Sequence, residues 1–209
     1  MNHTYAIHTL GCKVNTYESD AICEALEERG FVKKDFSESA DVYIINTCTV
    51  TNVADKKSRQ MLHRARKKNP DALIVAAGCY VDAALQNDSM KSLLSDSSVD
   101  IFVSNKDKAS IPELIEQRLG DRACGSFVAA PEPVAAEQGF GISRISGHTR
   151  AFMKIQDGCN QFCSYCIIPY VRGRIHTRPL EDIVEEARRL SDSGISEIVL
   201  SGIHLSSYG

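Results

Sequence analysis

Apolar strands and helical patterns alternate along the first 120 residues of the chain. Residues 4–10, 41–47 and 72–77 are apolar runs of strand length, and helical spacing of apolar residues separates them. Strands that alternate with helices form an open parallel sheet with helices on its faces. The sequence therefore predicts an α/β fold in which functional groups gather at the carboxyl ends of the strands.

A cysteine follows each of these three strands, namely Cys12, Cys48 and Cys79. Because the carboxyl ends of parallel strands share one edge of a sheet, the topology allows the three thiols to converge there. Their wide spacing along the chain is not a motif by itself. The alternative interpretation is three buried thiols at the sheet edge that bind nothing.

The chain has eight cysteines in all. Whether they form disulfides or bind metal depends on the redox state of the cellular compartment. No basic segment followed by a long apolar run opens the sequence, and no apolar stretch approaches the roughly 18 residues of a membrane helix. We therefore expect a soluble, cytoplasmic protein without a membrane partner, whose thiols stay reduced. Reduced thiolates are soft ligands, which favours binding of iron or zinc.

A second set of cysteines lies close together, where Cys159, Cys163 and Cys166 form C-x-x-x-C-x-x-C directly after a strand. Three thiolates in one loop can hold three irons of a cubane cluster and leave the fourth iron open to a ligand. A structural zinc site usually needs four closed ligands, and no fourth one stands at a suitable spacing. The spacing favours an iron–sulfur cluster over zinc or unliganded thiols.

The composition divides the chain into three parts. Residues 1–120 hold the predicted sheet, and residues 121–149, with two prolines and little periodicity, indicate a linker. Residues 150–209 contain a strand, the cysteine loop, a helix near Leu180–Asp192 and a second strand. This order is the first βαβ unit of an α/β barrel or sheet.

Several segments together resemble the radical S-adenosylmethionine (SAM) methylthiotransferases. The resemblance lies in GCKVN at 11–15, NTCTV at 46–50, AGCY at 77–80, DGCNQFCSYCIIPYVRGRIHTR at 157–178 and SGIHL at 201–205. It covers essentially the whole chain. It implies a methylthiotransferase N-terminal domain followed by the start of a radical SAM partial (β/α) barrel.

The resemblance also implies the cofactors, which are two four-iron, four-sulfur clusters and SAM. One cluster, on Cys159, Cys163 and Cys166, would bind and reduce SAM, and Tyr165 matches the aromatic residue beside the adenine. The other, on Cys12, Cys48 and Cys79, would hold the sulfur that is methylated and transferred. Such chemistry belongs to the cofactors, so no side chain is predicted to be catalytic.

Within the family, GCKVN resembles the branch that modifies carbon 2 of N6-threonylcarbamoyladenosine, in the anticodon loop of transfer RNA (tRNA). The implied partners are tRNA, a flavodoxin- or ferredoxin-type reductant and a sulfur donor. The alternatives are a sister enzyme acting on isopentenyladenosine or a ribosomal protein, and a non-catalytic metal-binding scaffold. Family members have further barrel units, so we expect the isolated 209 residues to be an incomplete, poorly active enzyme.

Other residues have less specific interpretations. The net charge is −3, so contact with RNA requires a local basic patch such as residues 56–68, although a solvated helix face is the commoner meaning of a charge run. Three arginines, Arg172, Arg174 and Arg178, are candidates for phosphates or the SAM carboxylate. Cys23 is interpreted as a small core hydrophobe, and Cys124 has no assigned role.

Overall fold

The computed structural model describes residues 3–121, 127–128, 141–144 and 150–209. Cys124 and most of the predicted linker at 121–149 lie outside the described residues. Within the described ranges, no helix is both long enough and apolar enough to cross a membrane.

The first part of the described chain is a parallel sheet flanked by helices, as predicted. Its strands are β1 (Thr4–Thr9), β2 (Val32–Lys33), β3 (Val42–Thr47), β4 (Leu73–Gly78), β5 (Ile101–Val103) and β6 (Phe127–Val128). Its α-helices are α1 (Lys13–Glu28), α2 (Asn52–Lys68), α3 (Cys79–Gln86) and α4 (Ile111–Asp121). Short 3-10 helices span Asp88–Ser95 and Asn105–Ser110. The strand order is β2-β1-β3-β4-β5-β6, and every pairing is parallel.

Apolar side chains cover both faces of this sheet. Ile22 and Leu26 of α1 pack on one face together with Ile111 of α4. Leu62 of α2 and Val81 of α3 pack on the other face. Every residue of β3 and β4 is therefore buried, which explains why these strands are continuous apolar runs without alternation.

The strand order also determines where a ligand site is expected. The chain runs from β1 outward to β2 and then returns to the other side of β1 to form β3. The two connections thus diverge between β1 and β3, and such a switch point opens a crevice at the carboxyl ends of the strands. Cys12 and Cys48 follow these two strands, and Cys79 follows the next strand in the sheet.

The second part of the chain contains a parallel pair of strands and an antiparallel one. Its elements are β7 (Ala151–Lys154), β8 (Gln156–Asp157), α5 (Ile168–Val171), β9 (His176–Thr177), α6 (Leu180–Asp192) and β10 (Ile198–Ser201). The parallel strands β7 and β10 are joined through α6, as in the opening of a radical SAM barrel. The antiparallel strands β8 and β9 bring the two ends of the cysteine loop together.

Helix α1 is shared by the two parts of the molecule. Tyr17 and Ala21 of this helix join an apolar cluster with Met153 of β7 and with Ile183 and Leu190 of α6. The sequence pattern predicts only one buried side for this helix. The structure buries a second side because the second part of the chain packs against it.

Gly78 closes β4 in a conformation that only glycine adopts without strain. Its φ is 102°, and a Cβ atom there would lie 2.7 Å from the carbonyl oxygen of Thr47. We expect Gly78→Ala to lower the free energy of unfolding by about 1–3 kcal/mol from backbone strain alone. Urea denaturation measures the change. Gly120→Ala is the control, since nothing lies within 4 Å of its Cβ position, and any loss of stability there would contradict this account.

Candidate metal centres

The first three cysteines lie at the carboxyl edge of the sheet. Cys12 is the N-cap residue of α1 and is exposed, whereas Cys48, directly after β3, is buried. Cys79 is the buried first residue of α3. Each thiol is therefore placed by a strand-to-helix turn, with the glycines Gly11 and Gly78 at positive φ before two of them.

These turns bring Cys12 and Cys79 into electrostatic interaction with Cys48. A Cβ atom at Gly11 would lie 3.0 Å from the sulfur of Cys48, so the loop before Cys12 lies directly against that side chain. Burial raises the pKa of the Cys48 thiol, and the neighbouring Cys79 and Cys12 raise it further. The structure thus brings these three residues together, while their role as cluster ligands stays a prediction.

Two asparagines hold the turns in place, a role that sequence reasoning missed. Asn15 Nδ2 donates to the carbonyl oxygens of Leu10, at 2.7 Å, and Thr47, at 3.0 Å. These carbonyls lie just before Cys12 and Cys48. Asn105 Nδ2 lies 3.5 Å from the sulfur of Cys79. Asn15 belongs to the GCKVN segment, and its place in that motif is the one signal that could have found it.

The second set of cysteines occupies the loop between β8 and α5. Cys159, Cys163 and Cys166 are all partly exposed. The amide of Cys166 donates to the carbonyl oxygen of Cys163 at 2.9 Å, and the amide of Cys159 donates to that of Gly173 at 3.1 Å. These two bonds close the loop at its base.

Aromatic side chains surround this loop. Tyr165 is 90% exposed, so its ring is free to contact a bound molecule. Phe162, at φ 48°, makes an edge contact with Tyr170, with ring centroids 5.7 Å apart. The guanidinium of Arg174 lies 4.4 Å from the centre of the Phe162 ring. Stacking on a cation of this kind stabilises an exposed ring by about 0.5–1 kcal/mol.

Two of the three arginines proposed for anions are already paired inside the protein. Arg172 is buried and bonds Glu18 and Asp157, at 3.2 and 2.8 Å. Arg178 bonds Glu186 at 2.5 Å. Arg174 is exposed, so its guanidinium is open to an anion from solvent. The sequence alone does not distinguish the three arginines, because their pairing depends on the packing; Glu18, for example, lies 154 residues from Arg172.

The donor chemistry of both sets suits an iron–sulfur cluster. Within the described ranges, no three His, Cys, Asp or Glu side chains are gathered closely enough to hold a single metal ion. A cubane cluster has a different requirement from a single ion, because its thiolates bind separate irons. The buried Nε of Arg172, which interacts electrostatically with the first thiols, has no hydrogen-bond partner among the described residues. Such a donor suits a sulfur-rich anionic group.

Comparison with known proteins identifies the family. Residues 4–104 match the uncharacterized protein family UPF0004, and residues 153–208 match the radical SAM superfamily. The chain is 42% identical over 206 residues to the threonylcarbamoyladenosine tRNA methylthiotransferase MtaB of Bacillus subtilis, covering 99% of this chain and 45% of that protein. The chain belongs to the radical SAM methylthiotransferase family.

Two other methylthiotransferase relatives extend the comparison. MtaB of Aquifex aeolicus is 36% identical, with 98% of this chain and 48% of that protein covered. The tRNA-2-methylthio-N(6)-dimethylallyladenosine synthase of Syntrophus aciditrophicus is 34% identical, with 99% and 44% covered. The chain thus spans a little under half the length of these relatives. Radical SAM membership implies one four-iron, four-sulfur cluster and SAM.

Cys23 is confirmed as a core residue. Its side chain is 6% exposed and packs in the apolar cluster between the sheet and α1 and α4. Burial raises the pKa of the thiol, which is the behaviour of a small hydrophobe and not of a reactive thiolate.

Asp82 gives the stability of the chain a pH dependence of its own. Burial raises the pKa of this carboxyl to about 6 from 3.8. Between these values the folded state binds more protons than the unfolded state, so the free energy of unfolding falls as the pH rises from about 4 to about 6. Asp82→Asn is expected to flatten this fall. Urea denaturation of apo-protein at several pH values measures it, and an unchanged slope would contradict the assignment.

Proposed function

We propose that the protein containing this chain adds a methylthio group to carbon 2 of N6-threonylcarbamoyladenosine, next to the anticodon of tRNA. The observation that carries the proposal is the meeting of Cys12, Cys48 and Cys79 at one sheet edge, in a chain that also has a separate three-cysteine loop. Two thiol sets suit a reaction that needs both a radical source and a sulfur source.

Each set of residues has a distinct task in this proposal. Cys159, Cys163 and Cys166 would hold one four-iron, four-sulfur cluster, and Tyr165 would lie beside the adenine of SAM. Cys12, Cys48 and Cys79 would hold the second cluster. When bound, these groups supply the one-electron chemistry and the sulfur that an unactivated carbon–hydrogen bond requires. The chain itself orients the two sites and keeps Cys48 and Cys79 away from water.

The choice of substrate is supported by the relatives. The proteins from Bacillus subtilis and Aquifex aeolicus are named for threonylcarbamoyladenosine, and GCKVN at 11–15 resembles that branch. The relative from Syntrophus aciditrophicus is named for dimethylallyladenosine, at lower identity. A sister enzyme acting on that base, or on a ribosomal protein, is therefore the competing proposal.

The proposed partners follow from the same chemistry. The protein would work in the cytoplasm with tRNA as substrate, a reductant of the flavodoxin or ferredoxin type and a donor that restores the transferred sulfur. The second candidate function is a non-catalytic scaffold that holds a metal. A scaffold of this kind would bind the metal, but its spectrum would not change when SAM is added.

Deleting the gene and analysing tRNA by mass spectrometry tests the proposal. The expected result is unmodified N6-threonylcarbamoyladenosine in place of its 2-methylthio form, with recovery when the gene is returned. Loss of 2-methylthio from dimethylallyladenosine instead would assign the sister function. Unchanged tRNA would reject methylthiolation of tRNA altogether.

Helix α2 supplies a surface suited to tRNA phosphates. It begins after the N-cap Thr51, whose side chain accepts from the amide of Ala54, and its buried side contains Ser58, Leu62 and Ala65. The opposite side exposes six basic side chains: Lys56, Lys57, Arg59, Arg64, Lys67 and Lys68. Since α2 begins shortly after Cys48, RNA lying along it would reach the first cysteine set.

We expect a variant with Lys56, Arg64 and Lys67 changed to glutamine to bind tRNA more weakly. These residues lie on one side of α2, so the variant removes three cations from the same surface. The slope of log affinity against log salt should fall by about 0.7–0.9 for each phosphate that is no longer neutralised. Titration of tRNA at several salt concentrations measures both effects.

The matched control removes the same charge elsewhere. Lys33, Arg150 and Arg188 are exposed on other surfaces and can be changed to glutamine together. If this control weakens binding as much as the α2 variant, only the net charge matters and the proposed surface is wrong.

A further inference from the structure

Arg172 is the centre of a buried ionic cluster that joins the two parts of the molecule. Its side chain is 1% exposed and lies 3.2 Å from Glu18 of α1 and 2.8 Å from Asp157 of β8. Glu18 also bonds Lys108 at 2.5 Å and Lys154 at 3.3 Å. A carboxylate of the N-terminal part is thus shared by cations from both parts.

The same arginine is connected to the turns of the first cysteine set. Its Nη2 donates to Asn15 Oδ1, and Asn15 in turn bonds the carbonyl groups of Leu10 and Thr47. These two carbonyls precede Cys12 and Cys48. One asparagine therefore links Arg172 to two of the three turns.

The third turn is linked through the backbone next to Arg172. Asn105 Nδ2 donates to the carbonyl oxygen of Val171 at 2.9 Å and lies 3.5 Å from the sulfur of Cys79. Position 172 is consequently fixed relative to all three residues of the first set.

The backbone on the other side of Arg172 holds the second cysteine loop. The carbonyl oxygen of Gly173 accepts from the amide of Cys159 at 3.1 Å. Asn160 Oδ1 accepts from the amide of Ile175 at 3.1 Å. Gly158, at φ 70°, lies so close to the Arg174 carbonyl that a Cβ atom would be 2.0 Å from its oxygen. The loop that carries the second set is thus tied to the segment around Arg172.

The guanidinium of Arg172 also acts on the first thiols through its charge. Burial opposes that charge, but Glu18, Asp157, Cys79 and Cys12 hold the pKa of Arg172 well above its ordinary value. The same guanidinium favours the thiolate of Cys48. Arginine is suited to this position because it stays charged when buried and binds several partners in a fixed plane.

We propose that Arg172 is a positioning residue that fixes the Cys159–Cys166 loop against the Cys12, Cys48 and Cys79 edge and places a permanent positive charge beside those three thiols. This inference rests on the proposed function, since it concerns the spacing and the charge environment of the two clusters. It assigns no step of the reaction to Arg172.

The charge is tested through the reduction potential of the cluster at the first set. The potential is measured in a background where Cys159, Cys163 and Cys166 are alanine, so that one cluster remains. Removing a nearby positive charge disfavours addition of an electron, so Arg172→Gln is expected to shift the potential to more negative values. Arg172→Lys keeps the charge and should stay close to the parent.

The distance between the two clusters is tested through their magnetic coupling in the reduced state, which electron paramagnetic resonance measures. Both Arg172→Gln and Arg172→Lys should weaken or broaden the coupling, because neither side chain reproduces the planar contacts to Glu18, Asp157 and Asn15. Arg172→Lys also serves if the glutamine variant fails to fold.

Arg178→Gln is the matched control for both measurements. Arg178 also joins the second part to α1, through Tyr17 at 2.9 Å, and it bonds Glu186 of α6 at 2.5 Å, but these contacts lie beside the apolar cluster that Tyr17 forms with α6. In the Arg178→Gln variant, the reduction potential and the magnetic coupling of the clusters are expected to match those of the parent. The inference is overturned if the Arg172 variants shift neither quantity more than Arg178→Gln. If the parent itself binds no iron, the proposed function has failed and not this inference.

Discussion

In protein reconstituted anaerobically with iron and sulfide, alanine at Cys159, Cys163 and Cys166 is expected to lower the iron content from about eight to about four per chain. The first set, at the sheet edge, should still hold its cluster. SAM should then no longer change the spectrum, because the cluster with the open SAM site is lost. Iron analysis and absorption spectroscopy measure both effects.

The reciprocal variant completes this test. Alanine at Cys12, Cys48 and Cys79 should also leave about four irons, but should keep the spectral response to SAM. Cys23→Ala is the control, because that thiol is buried in the core between α1 and the sheet, and its iron content should equal the parent's. One tightly bound zinc and no response to SAM would instead favour a metal-binding scaffold.

Glu18→Gln is expected to cause the largest loss of stability of any single change to the ionic cluster. Glu18 is 1% exposed and bonds three cations, Lys108, Lys154 and Arg172. Removing its charge leaves buried cations uncompensated, which typically costs about 3–5 kcal/mol. That is a large fraction of the roughly 5–15 kcal/mol by which folded proteins are stable. Urea denaturation of apo-protein near neutral pH measures the loss.

The pH dependence of Glu18 has a definite sign. Burial opposes its charge, but the three cations together hold the pKa of Glu18 well below its usual value of 4.5. Its stabilisation is therefore fully present above about pH 4.5 and is lost as the pH falls toward the depressed folded pKa. Glu18→Gln should remove this part of the acid sensitivity.

Glu185→Gln is the matched control. Glu185 bonds Arg189 at 3.0 Å on the exposed side of α6, where the two side chains are 71% and 43% exposed. Such a surface pair contributes about 0–1 kcal/mol. Equal losses in the two variants would show that the buried cluster contributes no more than an ordinary surface ion pair.

The fold is largely predictable because its signals are local. The runs at 41–47 and 72–77 predict β3 and β4 within one residue, since strands buried on both faces are continuously apolar. The charged run at 56–68 lies in α2, which ends before Asn69-Pro70, because the residue before a proline disfavours helical geometry. The predicted helix at Leu180–Asp192 is α6.

The site is predictable only in part. Parallel topology alone places Cys12, Cys48 and Cys79 at one edge, but it says nothing about Asn15 or Asn105, which hold the turns. Amphipathic spacing in α1 predicts one buried side, and Glu18 lies outside it. Arg172 and Arg178 are also paired with carboxylates inside the protein, which their positions beside the cysteine loop do not predict.

Periodicity and short spacing are enough to establish the types of the elements, a cysteine after each of three strands and the compact second cysteine set. Residues close along the chain carry these properties, so no knowledge of the packing is needed. The pairing of Glu18 with Arg172, 154 residues away, and with Lys108, 90 residues away, exists only in the folded chain. Such pairs arise when the two parts pack on opposite sides of α1. Each buried charge then loses its hydration, and its distant partner has to compensate for that loss.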